Sequence, residues 1–180
     1  MISELKSARL LFSAEQISRA ITAQAALING KLGHKNPMVA LTLLNGGIVY
    51  TGQLLPLLDF HLQLDSISVS RYRDQTQGGQ LHWHAYPGID LEGSVVLLLD
   101  DIFDQGITLA HVKDWCLSKG AKEVYTAVLA WKKLNNASTS LLATPDFFAL
   151  EVPDKFVVGM GMDYAGKFRN ANGIYAMDDY

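Results

Sequence analysis

Apolar residues come in short blocks along this chain, broken by polar stretches rich in glycine, aspartate and asparagine. The first block has helical spacing: Ile17, Ala20, Ile21, Ala25 and Ile28 recur at steps of three and four. Ser13 stands at the cap position with Gln16 three residues later, and Phe12 and Ile17 are placed to staple the first turn. Asn29-Gly30 predicts the stop. Residues 39–44 read as a short buried strand, ended by Asn45-Gly46-Gly47, and a helix is expected next, through about 55–60. Segments 67–72 and 81–86 are strand-like and flank a polar, glycine-rich stretch, RDQTQGGQ. Residues 95–99 form a wholly apolar strand, 107–118 suit a helix stopped by Gly120, and 124–130 and 155–160 read as further strands. A last, edge strand is expected over 173–177.

Apolar strands alternating with helices predict a parallel sheet covered on both faces. Ligands of such sheets bind at the carboxyl ends of the strands. Four segments leaving strand ends carry unusual polar letters: NGG at 45–47, DDIFDQGIT at 100–108, WKK at 131–133 and GMDYAGKFR at 161–169. No repeat or linker divides the chain, so residues 1–180 are read as one domain. At 180 residues it is long enough for a sizeable core. A net charge of −3 argues against a broad grip on nucleic acid. The single cysteine, Cys116, forbids an intrachain disulfide and fits a reducing compartment. The first residues lack the apolar core of a signal peptide, and no apolar run approaches the roughly 20 residues that span a bilayer. The expectation is a soluble cytoplasmic protein without membrane partners.

The richest chemistry lies in VVLLLDDIFDQGIT at 95–108. Gly106 allows a tight turn, after which the amides opening the next helix point into one hollow suited to a phosphate, with the Thr108 hydroxyl as an added donor. Three carboxylates just before it would repel a bare phosphate. The conflict disappears when a sugar lies between, its hydroxyls or a Mg²⁺ ion facing Asp100 and Asp101. The stretch therefore reads as a cradle for ribose 5-phosphate. The plainer alternative is that Asp100 and Asp101 end a strand and Asp104 caps a helix.

This stretch resembles the phosphoribosyl-pyrophosphate motif of type I phosphoribosyltransferases. VPDKFVVGMGMDYAGKFRN at 152–170 resembles the hypoxanthine-guanine phosphoribosyltransferases in particular, and LLNGGIVYTGQLL at 43–55 is similar to their pyrophosphate loop. The resemblance implies an α/β fold with a central, mostly parallel sheet, helices on both faces and a small hood formed by the terminal segments. It implies transfer of 5-phosphoribosyl from phosphoribosyl pyrophosphate to a 6-oxopurine, with Mg²⁺ as cofactor and a homodimer or homotetramer as the assembly. By position, Asp100 and Asp101 would face the ribose directly or through Mg²⁺, and Asp104 would be the general base at purine N7. Asp104, Gln105, Gly106, Ile107 and Thr108 would hold the 5′-phosphate. Lys132 would reach purine O6, Phe156 would stack on the ring, and Val157 would offer backbone groups to its edge. Asp163 would ligate a second Mg²⁺ near the purine. Asn45, Gly46 and Arg169 would meet pyrophosphate, and Arg71-Tyr72 would open a lid over about 71–80.

Three letters depart from that family's pattern. Asn45 stands where many relatives have lysine, Gln105 where they have threonine, and Arg71 where they often have serine. Arg71 and Arg73 are candidates to restore the charge that Asn45 lacks.

Other signals have plainer readings. Gly161 to Phe168 is one letter short of a Walker A loop, with Phe168 in place of its Ser or Thr and Asp163 opposing a triphosphate. His82 and His84 share a strand face by alternation alone and read as solvated histidines. Two rival functions remain: a silent regulator that binds nucleotide or RNA on the same fold, and a Mg²⁺-dependent phosphohydrolase, which leaves DKFVVG without a role.

Overall fold

The computed structural model describes residues 8–71, 81–133 and 144–177. Its main body is a six-stranded sheet built from β2 (Met38–Leu44), β3 (Gln63–Arg71), β4 (Leu81–Ala85), β5 (Val95–Phe103), β6 (Glu123–Lys132) and β7 (Phe147–Val152), in the order β4-β3-β2-β5-β6-β7. All neighbours are parallel except β4, which runs antiparallel to β3 at the edge. Helices α1 (Ala14–Leu32), α2 (Gly47–Leu54) and α3 (Ile107–Ser118) cover it.

Alternation along the strands decides which helix lies on which face. Ala40, Leu97, Leu99, Ala127 and Leu129 point to one side and pack with Ile17, Ile21 and Ile28 of α1 and Tyr50 and Leu54 of α2. Val39, Leu41, Val96, Leu98, Val124 and Val128 point to the other and meet Leu109, Val112 and Cys116 of α3. The central strands are apolar on both sides, as a doubly covered parallel sheet requires. Each large side chain buried this way contributes roughly 1.5–3 kcal/mol.

A second, three-stranded sheet stands at one end. It joins β1 (Arg9–Ser13), β9 (Gly173–Met177) and β8 (Phe156–Val158), all antiparallel, in the order β1-β9-β8. Its small core holds Val158, Phe168 and Ala171. This is the hood of terminal segments that the resemblance implied.

The capping box forms at Ser13, whose hydroxyl accepts from the Gln16 amide while the Gln16 side chain accepts from the Ser13 amide. Helix α1 runs past the expected stop at Asn29-Gly30 to Leu32, since Leu32 adds one more fully buried step. Asn29 serves a different end. Its side chain donates to the Leu57 carbonyl and accepts from the Asp59 amide, fastening the segment after α2. The helix expected through 55–60 lies earlier, as α2, and 55–57 is a single 3-10 turn. Strand β9 lies in the middle of its sheet, not at an edge. Its neighbour β1 had been hidden, because its apolar letters run straight into the α1 cap.

Candidate active site

In this sheet β2 and β5 are adjacent, but the chain leaves them in opposite directions: β2 leads to β3 on one side, β5 to β6 on the other. Such a switch point opens a crevice at the carboxyl ends of both strands. Asn45-Gly46 leaves one strand there, and Asp104 leaves the other. The hood closes the crevice from above. The result is a hollow of about 330 Å³ lined by Asn45, Gly46, Asp100, Asp101, Asp104, Lys132, Phe156, Val157, Asp163 and Arg169, with Leu44, Ile102 and Met162 completing the wall. Four segments far apart in sequence therefore share one cavity.

The two vicinal acids belong to the strand itself. Strand β5 runs four residues past its expected end, with Asp100 paired to Val128 and Ile102 to Ala130 of β6. Asp101 is almost fully buried, and its amide donates to Asp100 Oδ1 at 2.9 Å. Burial pushes the Asp100 carboxyl well above the ordinary carboxylate range, with the charge of Asp101 the next cause. Burial raises Asp101 as well, opposed by its hydrogen bond to Asp100 and by Arg169. Two acids this close disfavour two charges at once. Ligands that favour both charged forms are hydroxyl donors or a hard cation.

The chain turns at Gly106, whose φ of 69° is left-handed, and α3 starts at the next residue. A side chain there would strike the Phe103 ring. Asp104 is not the helix cap; Gly106 holds that position with no side-chain hydrogen bond. Gln105, Gly106, Ile107 and Thr108 form the turn and first helical residues beside the hollow, and do not line it. Across the crevice, Lys132 at the end of β6 places Nζ 3.6 Å from Asp104 Oδ1.

The hood supplies the rest. Phe156 presents a partly exposed ring, held edge-on by Tyr164 at 5.6 Å, while Val157 is buried beside it. Asp163 accepts from Arg169 Nη2 at 2.6 Å and from the Gly166 amide at 2.7 Å. Arg169 Nη1 also donates to the Gly161 carbonyl at 2.6 Å. The turn repeats no phosphate-loop geometry, since residues 161–168 fold into short bridges and no helix follows among the described residues. Asp163 does not join Asp100 and Asp101 in one cage: among the described residues no group of three His, Cys, Asp or Glu is placed to hold a metal.

One contact escaped sequence reading. A Cβ on Gly161 would lie on the Gly46 carbonyl oxygen, and a Cβ on Gly46 would lie on the Asp101 carboxylate. Hood and β2 loop thus meet backbone to backbone, and the β2 loop lies directly against the Asp101 side chain of β5. The glycines of NGG and GMG were the available signal. Leu44, Ile102 and Met162 carried none, as each reads as core. Of the expected lid, Arg71 ends β3, and Tyr72 with the rest of 72–80 lies outside the described residues.

Comparison with known proteins places the chain in a family. The phosphoribosyl transferase domain family matches residues 10–165. A hypoxanthine-guanine phosphoribosyltransferase of Aquifex aeolicus is 31% identical over 175 residues, covering 97% of each chain. One of Bacillus subtilis is 29% identical over 163 residues, covering 90% of this chain and 88% of its own. The crystal structure of a hypoxanthine phosphoribosyltransferase from Staphylococcus aureus superposes with a TM-score of 0.89 at 26% identity, covering 98% of this chain and 96% of that one. The chain belongs to the hypoxanthine-guanine phosphoribosyltransferase family.

Proposed function

We propose that the protein is a purine salvage enzyme. It transfers 5-phosphoribosyl from phosphoribosyl pyrophosphate to hypoxanthine or guanine, giving the nucleoside monophosphate and pyrophosphate. The observation that carries this reading is the single hollow holding Asp104, Lys132, Phe156, Asp163 and Arg169 together with Asn45-Gly46.

In this reading the purine stacks on Phe156, with O6 facing the Lys132 ammonium and its edge facing the Val157 backbone. Lys132 and Asp104 lie 3.6 Å apart, so one base spans both, O6 on the cation and N7 on the carboxylate. Asp104 takes the N7 proton as the N9 lone pair forms the bond to C1′ and the C1′–oxygen bond to pyrophosphate breaks. Asp100 and Asp101 hold the ribose hydroxyls. The amides of Gln105, Gly106, Ile107 and Thr108 hold the 5′-phosphate. Arg169 and the Asn45-Gly46 backbone receive the pyrophosphate, whose growing charge suits a guanidinium.

The donor set fits Mg²⁺, which keeps several waters and takes one or two carboxylates plus substrate oxygens. Asp100 and Asp101 would hold one ion and Asp163 a second, and the bound ions would neutralise charge developing on the leaving group. Asp163 is engaged by Arg169 in the free protein. Substrate that draws Arg169 to pyrophosphate would free that carboxylate.

We extend the reading to a cytoplasmic homodimer or homotetramer; no helix among the described residues is long and apolar enough to cross a membrane. The test is direct. Protein, Mg²⁺, phosphoribosyl pyrophosphate and hypoxanthine are mixed and the absorbance of the base is followed. Turnover supports the enzyme; binding without turnover would instead establish the silent regulator. Light scattering on the purified chain tests the assembly, which a pure monomer would exclude.

A further inference from the structure

The edge hairpin of the large sheet carries an arrangement that the transferase reaction does not use. Strand β4 reads LHWHA. Trp83 points into the α3-side core, against Trp115 at 5.2 Å. Alternation then sends His82 and His84 to the opposite face, where both are exposed. Their ring centroids lie 4.5 Å apart at an interplanar angle of 68°. Two imidazoles bound to one ion, each through a nitrogen about 2.0–2.1 Å from it, have centroids roughly 4.5–5 Å apart at square-planar or tetrahedral angles. The rings therefore already stand at chelating distance.

A second observation concerns ring orientation. Ser70, on β3 and in register with His82, sits 2.8 Å from His84 Nε2 through its hydroxyl. A ligating histidine ordinarily has its other nitrogen fixed by such a partner. With Nε2 engaged by Ser70, Nδ1 of His84 is the nitrogen offered to a metal.

We propose that His82 and His84, oriented by Ser70, form a binding site for one divalent transition-metal ion on the β3–β4 edge, separate from the catalytic hollow. Among the described residues no third His, Cys, Asp or Glu joins them. Two imidazoles select Cu²⁺ first and Zn²⁺ and Ni²⁺ after it, and they have no affinity for Mg²⁺. The site is thus chemically distinct from the oxygen donors of Asp100, Asp101 and Asp163, and it stands whether or not the proposed reaction is correct.

The experiment uses the untagged full chain in excess Mg²⁺, titrated with Cu²⁺ by calorimetry, with electron paramagnetic resonance of the complex. One tight Cu²⁺ per chain, with hyperfine structure from two imidazole nitrogens, is expected. His82→Ala and His84→Ala should each weaken it by more than about tenfold, Ser70→Ala by less, and His34→Ala not at all. All three target residues are on the surface, and unchanged circular dichroism confirms folding. Equal affinity in the parent and both histidine variants, or no tight site in the parent, overturns the proposal.

Discussion

Tyr50 is a fully buried phenol on α2, and its hydroxyl donates to Gln24 Oε1 of α1 at 2.8 Å. Gln24 is 2% exposed and passes the connection on, donating from Nε2 to the Val128 carbonyl of β6 at 3.0 Å. Burial pushes the Tyr50 hydroxyl far above its ordinary range, so it is a neutral donor at any working pH. Removing one partner leaves the other buried and unpaired. Tyr50→Phe strands the Gln24 oxygen, and Gln24→Leu strands the Tyr50 hydroxyl, each at about 1–3 kcal/mol. In a chain of this size each kcal/mol moves the melting midpoint by about 2–4 °C. The double variant strands neither group of the pair, so its cost should fall short of the sum by about 1 kcal/mol or more. Urea unfolding of the parent, two single variants and the double variant measures the cycle. Single costs that add to within about 0.5 kcal/mol would refute the reasoning, because they would show that the two groups do not depend on each other.

Four further outcomes follow from the site and the surface. Asp104→Asn should lower kcat by about 10²-fold with little change in KM for the base; an unchanged rate would remove Asp104 as the base. Gly46→Ala places a methyl on the Asp101 carboxylate and should cut kcat/KM for phosphoribosyl pyrophosphate by about 10²-fold, read by the same absorbance assay. Asn45→Lys should lower KM for phosphoribosyl pyrophosphate, while Arg71→Ala should raise it if Arg71 replaces the missing charge. The fourth concerns the Lys35–Glu123 pair at 2.8 Å. Its hydrogen bond holds the Glu123 carboxyl below its ordinary 4.5 and the Lys35 ammonium above its ordinary 10.5. The stability it provides is complete between those values, fades as pH falls through the depressed Glu123 value, and fades again as pH rises through the raised Lys35 value. The gap in melting midpoint between parent and Glu123→Gln should narrow at both extremes; a constant gap would mean that charge is not its source.

Much of the fold was legible because its signals are local. The Ser13 cap, the apolar strand at 95–99 and the helix at 107–118 each follow from neighbouring residues alone. What failed was non-local. Strand β1 borrows its identity from β9, and β7 (FFALEV) from β6, neither of which a local window contains. Asn29-Gly30 looked like a stop because a turn signal says nothing of the buried place waiting for Leu32. The site divides the same way. Asp100, Asp101, Asp104 and Gly106 declared themselves by charge set against an apolar strand. Phe156 and Val157 look like core letters, and only the resemblance of the whole DKFVVG segment singled them out. The Gly161–Gly46–Asp101 stack was invisible, since glycine spacing does not reveal which distant backbone a glycine admits.

Because β8, β9 and the Arg169 turn roof a crevice whose floor is laid by residues 45 to 132, biosynthesis meets a threshold. A ribosome delivers the crevice floor first and its roof, with Phe156, Asp163 and Arg169, last. In the proposed reading, a nascent or truncated chain lacking the final quarter would keep Asp100, Asp101, Asp104 and the turn at Gly106 but lose Phe156, Asp163 and Arg169. The hollow is therefore closed only once the last strands are made.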